Sequence, residues 1–104
     1  MPWTHACDLD EVEMEEAVRV DHAGRSYAIF LTEDGGLFCT QGLCPVDGAH
    51  LAGGLLDGTL IECPDHGGQF DIRDGSVHNG PDTTALATFA VRATDGHVEA
   101  DLPD

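Results

Sequence analysis

Positive charge is what this sequence has least of. Against 20 aspartates and glutamates it sets four basic residues, all arginine, for a formal net charge of −16 over 104 residues. So acidic a chain repels phosphate backbones, which excludes nucleic acid as a partner, and anionic membranes are excluded on the same ground. A basic protein surface remains attractive, because long-range attraction speeds encounter; solubility alone is the plainer use of the same charge. Long apolar runs are missing as well. None approaches the roughly 20 residues of a membrane span, and the start MPWTHACDLDEVEMEE has neither a basic stretch nor an apolar signal core, so the expected location is the cytoplasm. Helical periodicity is missing too: LDEVEMEEAV (9–18) could pass for a turn or two, but its apolar residues do not hold a 3.6-residue period. Internal repeats and low-complexity tracts are absent. No Ser-His-Asp grouping, paired carboxylates or phosphate loop suggests a catalyst with its own substrate pocket.

Turns are what the chain has in quantity. DHAG (21–24), EDGG (33–36), LDG (56–58), RDG (73–75) and TDG (94–96) punctuate it, several of them Asp-Gly pairs suited to tight hairpins. Strand-like runs lie between: AVRVD and RSYAIFLT around the first turn, QFDIR with Phe70 and Ile72 alternating against Asp71 and Arg73, and FAVRA with HVEADL around the last. In that last hairpin Phe89, Val91 and Ala93 are expected to share a face, as are Val98, Ala100 and Leu102. Short strands joined by glycine-rich turns predict an all-β fold, a small antiparallel β-sandwich or barrel, as a single domain over 1–104. At this length a metal staple would help a modest core.

Four cysteines without a signal segment point to reduced thiols or metal ligands rather than a disulfide framework. Cys7 and Cys39 read as free core cysteines. Cys44 and Cys63 differ in context, because each opens a glycine-rich loop on either side of the hairpin-like GGLLDGTLIEC (53–63). His66 follows Cys63 in a C-x-x-H step. Thiolate sulfur suits iron or zinc, an imidazole at that spacing can turn to the same ion, and Gly67 and Gly68 let the backbone pass close to a metal centre. His5, His22, His78 and His97 read as solvated surface groups.

Taken together, GLCPVDGAHLAGG (42–54) and CPDHGGQF (63–70) resemble the two loops of the Rieske iron–sulfur family, C-x-H and C-P-x-H-G-G-x-F. Sixteen residues separate Val46 from Cys63, the family spacing; FDIRDGSVHNGP, with Gly80-Pro81 like the family's proline loop, and TFAVRATDGHVEADL extend the likeness over nearly the whole chain. It is nearest to the small bacterial Rieske-type ferredoxins that serve aromatic-ring dioxygenases. That resemblance implies a Rieske-type domain whose cluster-binding part covers about 42–82, and a [2Fe-2S] cluster with Cys44 and Cys63 on one iron and His66 on the other. It also implies a one-electron carrier, with a flavin-dependent reductase upstream, a terminal oxygenase downstream, and His66 marking the electron exit. A monomer is expected. The extra disulfide and the serine of the high-potential branch are replaced by Ala49, Asp65 and Gly68, which places the expected potential near the low end of the family, roughly −150 mV.

One position departs from the pattern. Val46 stands where the first histidine ligand is expected, and its side chain has no donor. Water, hydroxide or a nearby side chain would have to complete the outer iron, His50 being the nearest in sequence and the possible fourth ligand. Other readings are a clusterless binding or structural subunit of the nitrite reductase small-subunit type, a single zinc on Cys44, Cys63 and His66, and an engineered His-to-Val exchange.

Overall fold

A computed structural model describes residues 3–13, 16–45, 48–64, 68–79 and 85–102. Over those residues the chain is β throughout, with two single-turn 3-10 segments, Leu9–Glu11 and Leu51–Gly53. In chain order the strands are β1 (Thr4–Asp8), β2 (Glu16–His22), β3 (Arg25–Leu31), β4 (Leu37–Gln41), β5 (Leu55–Asp57), β6 (Leu60–Glu62), β7 (Gln69–Asp71), β8 (Val77–Asn79), β9 (Thr88–Phe89), β10 (Val91–Thr94) and β11 (His97–Ala100). They form three antiparallel sheets, ordered β1-β11-β10, β2-β3-β4-β9 and β5-β6-β7-β8. The second sheet is the middle layer. Between it and the first lie Cys7, Val20, Tyr27, Ile29, Cys39, Val98 and Ala100; between it and the third lie Ala28, Phe30, Leu51, Ile61, Phe70 and Ile72.

β3 explains how one sheet serves two cores. Its YAIF run (27–30) is apolar without interruption, the pattern of a strand covered on both faces. Because successive side chains alternate, Tyr27 and Ile29 enter one core while Ala28 and Phe30 enter the other. Phe30 and Phe70 are fully buried in the second core, each contributing about 1.5–3 kcal/mol relative to exposure.

The hairpin turns use left-handed backbone, at little cost for glycine and Asp95 and under strain at Ala23. Ala23 and Gly24, at φ 52° and 79°, join β2 to β3, and Asp95 and Gly96, at φ 51° and 80°, join β10 to β11. Two successive positive φ values give the hairpin turn whose twist matches the flanking strands.

Two sequence expectations are corrected. FAVRA is not one strand: Phe89 pairs with Cys39 in the middle sheet, whereas Val91 pairs with Ala100 in the outer one. The chain changes layer at Ala90, whose carbonyl accepts from the Asp101 N–H at 2.9 Å, so Phe89, Val91 and Ala93 do not share a face and Ala93 is exposed. QFDIR also stops early, at Asp71, where the Gly75 N–H closes a turn onto the Asp71 carbonyl at 2.7 Å. Ile72 is nevertheless buried beside Phe70, as the alternation requires. Strands β1 and β8 were not expected.

Candidate metal centre

The third sheet and the end of β4 carry the two cysteine loops. After β4, Gly42 donates its N–H to Ser26 O at 2.8 Å and accepts from the Leu51 N–H at 2.8 Å, and Leu43 bridges to His50. Within that frame the Cys44 N–H donates to Ala49 O at 2.8 Å, and Cys44 O accepts from the Gly48 N–H at 2.9 Å. Gly48 sits at φ +76°, where a side chain would be strained. The second loop joins β6 to β7 and is closed the same way, by the Cys63 N–H on Gly68 O at 2.8 Å. In both cases a cysteine opens the loop and bonds the residue five positions on.

Close backbone approach holds the loops against their neighbours. A Cβ on Gly42 would meet the Ser26 backbone at 2.7 Å, and one on Gly54 would meet Glu62 O at 2.0 Å, so each position accepts only glycine. Glu62 immediately precedes Cys63; Gly54 therefore ties the end of the first loop region to the start of the second.

Cys44 and Cys63 come to rest in one buried cluster, 2% and 1% exposed, with Leu51, Ile61, Phe70 and Leu86. No disulfide joins any of the four cysteines, all of which are described. Cys39 lies on β4 in the other core. His66 and Val46 fall outside the described residues, as do Gly80 and Pro81. His50 is half-buried at the start of the 3-10 turn, and its Nδ1 is buried without a hydrogen-bond partner. The Asp21 carboxyl on β2 is held below its ordinary value first by hydrogen bonds from Arg19 and Ser26, with a smaller electrostatic contribution from His50.

Gln41 is a positioning residue that the sequence did not single out. Its Nε2 donates to Leu43 O at 2.8 Å and its Oε1 accepts from the Ala87 N–H at 2.8 Å; its own N–H donates to Ala87 O at 2.9 Å. One side chain thus links the first cysteine loop to the segment at 85–87. A lone glutamine before a glycine carries no signal that would have revealed this.

The donor set fits an iron–sulfur centre. Two buried sulfur donors open equal loops, and an orphaned imidazole nitrogen lies on the first of them, where burying an unpartnered polar atom costs on the order of 1–3 kcal/mol unless something binds it.

Comparison with known proteins agrees with that reading. A family model for the Rieske [2Fe-2S] domain matches residues 2–90. The biphenyl dioxygenase ferredoxin subunit of Pseudomonas sp. (strain KKS102) is 40% identical over 93 residues, covering 88% of this chain and 84% of that protein. Among solved structures, Sphingomonas yanoikuyae B1 ferredoxin superposes with a TM-score of 0.90 at 36% identity, covering 98% of this chain and 100% of the other. The complex of reduced oxygenase and oxidized ferredoxin in carbazole 1,9a-dioxygenase contains a chain that matches with a TM-score of 0.87 at 31% identity, covering 94% and 91%.

Proposed function

The chain belongs to the Rieske [2Fe-2S] domain family, and we propose that Cys44, Cys63 and His66 hold its cluster, with His50 in the place that Val46 cannot fill. It is an electron carrier, a ferredoxin component of a dioxygenase-type system rather than an enzyme in its own right, and an oxygenase is its partner. The reading of the site rests above all on the juxtaposition of Cys44 and Cys63, brought into one buried cluster from two equally closed loops. The unpartnered Nδ1 is what supports His50.

When bound, the cluster would supply a single reversible electron. The chain's own residues set the conditions. Burial of both cysteines in an apolar cluster keeps water from the inner side of the site, and the glycine contacts at 42 and 54 leave the loops little freedom to rearrange between redox states. A flavin-dependent reductase supplies the electron, the chain acts as a monomer in the cytoplasm, and the potential lies near −150 mV, roughly the low end for histidine-ligated centres. The net charge of −16 steers the chain to basic surfaces on its partners, so electron delivery slows as salt rises.

Anaerobic purification with iron and sulfide analysis tests the cluster. Near-stoichiometric iron and sulfide for one [2Fe-2S] group is expected. A protein that stays colourless after reconstitution supports the clusterless subunit instead, and one loaded only with zinc supports the zinc site. Val46→His should restore the C-x-H step, raise cluster retention and shift the spectrum toward that of a two-histidine centre. His50→Ala should strip or shift the cluster. If His50→Ala does neither, solvent fills the fourth position.

A further inference from the structure

Far from the cysteine loops in sequence, the outer face of the β1-β11-β10 sheet brings together two imidazoles and a carboxylate. His5 and Asp8 are three residues apart on β1, a spacing that puts side chains on opposite faces of a regular strand. Here a bulge intervenes. The register runs His5↔Glu99 and then Cys7↔Val98, so Ala6 is the extra residue, and beyond it Asp8 pairs directly with His97. The insertion resets the alternation: Cys7 and Val98 face the core, while His5, Asp8 and His97 all face out. Neighbouring positions on that face are already satisfied, since Glu99 is paired to Arg92 at 3.0 Å and Arg92 lies 4.2 Å over the Trp3 ring.

One oxygen is the focus of the group. His5 Nε2 stands 3.2 Å and His97 Nδ1 3.1 Å from the same Asp8 Oδ1, the two rings meet edge to face at 5.1 Å, and all three ligand atoms lie within 4.8 Å of one another. Two ligands on a tetrahedral zinc, each bonded at about 2.0–2.1 Å, stand roughly 3.3 Å apart. The two nitrogen–oxygen separations already match that. The remaining pair needs to close by a modest rotation of exposed rings.

We propose that His5, Asp8 and His97 form a binding site for a divalent cation of the zinc class, with water in the fourth position, which clips the first strand to the last. Imidazole nitrogen with one carboxylate suits zinc and its neighbours over magnesium or calcium, which prefer all-oxygen shells. The bulge is the device that makes the site, because without it Asp8 and His5 would lie on opposite faces. The strongly acidic chain raises the local concentration of any cation. Since all three side chains are about half exposed, the ion is accessible and exchangeable, unlike a group buried between the cysteine loops.

Calorimetric titration of zinc into the cluster-loaded chain, carrying no histidine tag and with its visible absorbance followed throughout, tests the site. One zinc per chain is expected, with the cluster spectrum unchanged and no comparable uptake of magnesium. His97→Ala and Asp8→Asn should each weaken binding at least about 10-fold, since even the outer partners of metal ligands are worth that much; His22→Ala should leave it unchanged. Unfolding caused by these replacements would show as an accompanying loss of the cluster's colour, and His5→Ala supplies an independent third variant. Full affinity retained by either His97→Ala or Asp8→Asn overturns the proposal, as does zinc uptake that appears only when the cluster bleaches, which would place the ion on Cys44 and Cys63.

Discussion

All four cysteines are buried, Cys39 as deeply as Cys44 and Cys63, yet the two pairs are built into the chain differently. The first pair sits within strands, Cys7 opposite Val98 and Cys39 opposite Ile29 and Phe89, with backbone groups used in sheet pairing and sulfurs turned into the outer core. Burial pushes these thiols up, Cys7 to about 11 and Cys39 to about 12. In the second pair each cysteine opens a loop and closes it with its own N–H. Depth therefore does not separate the two pairs. What separates them is whether the backbone around the sulfur is paired in a strand or closes a loop.

Replacing one member of each pair tests that distinction most severely. Cys63→Ser or Cys44→Ser should abolish iron and sulfide binding almost completely, because a lost thiolate leaves the inner iron without a ligand it needs. Cys39→Ser should keep the full iron and sulfide content and the visible spectrum. Equal loss of colour in all three variants would erase the contrast and return Cys44 and Cys63 to the core.

A second test moves the loops without touching a donor. Gly54→Ala would drive a Cβ to 2.0 Å from Glu62 O, and backbone cannot yield as a flexible side chain would. The expected cost is at least about 2 kcal/mol, with lowered cluster content, because Glu62 leads directly into Cys63. Gly58→Ala is the comparison: at φ +62° with nothing within 4 Å, it should cost only about 1–2 kcal/mol of backbone strain and leave the iron in place. Thermal melts and iron analysis of the two variants separate crowding from strain.

Much of this was readable in the chain because the informative features were local. Hairpins at 21–24 and 94–96 announce themselves through their Gly-containing turns, and RSYAIFLT announces a strand. The loops at 42–54 and 63–70 carry their own pattern. What escaped was set by partners distant in sequence. Nothing in FAVRA marks Ala90 as the point where the chain changes layer, since that depends on which sheet has an edge free for Phe89. THACD is too short and mixed to signal β1, and the bulge at Ala6 that turns His5 toward Asp8 exists only against β11. Gln41 gains its role from Ala87, which lies 46 residues away.

The structural cysteines make a prediction of their own, in alkali. In the unfolded chain both thiols ionise near their ordinary value of 9.0, whereas in the folded chain they keep their protons to about 11 and 12. Between those values the unfolded state binds fewer protons than the native one, so stability falls as pH rises above 9. Cys39→Ala should cost about 1 kcal/mol at neutral pH, through lost packing, and should make the alkaline decline shallower. Denaturant midpoints from pH 7 to 10.5 measure both. A decline of unchanged steepness would mean that the buried thiols do not govern it.

The smallest effect concerns what holds the frame of the second loop. Asp71 ends β7, the strand that leaves this loop, and its carboxylate takes a two-pronged bond from Arg73, Nη2 to Oδ2 at 2.7 Å and Nε to Oδ1 at 3.1 Å. Those bonds hold the carboxyl below its ordinary value of 3.8. The pair's contribution is therefore present above about pH 4 and is lost as pH falls through 3.8 toward the lower folded value, where the unfolded state binds the extra proton first. Arg73 is largely exposed, so Arg73→Ala should lower stability only slightly at pH 7, and the gap between wild type and variant should narrow as pH falls below 3.8. Cluster content should not change, because the loop is fixed by backbone bonds and by Gly54. If Arg73→Ala instead releases iron at neutral pH, the second loop depends on this ion pair, and the contrast between the two cysteine pairs would have to include side-chain electrostatics as well as backbone form.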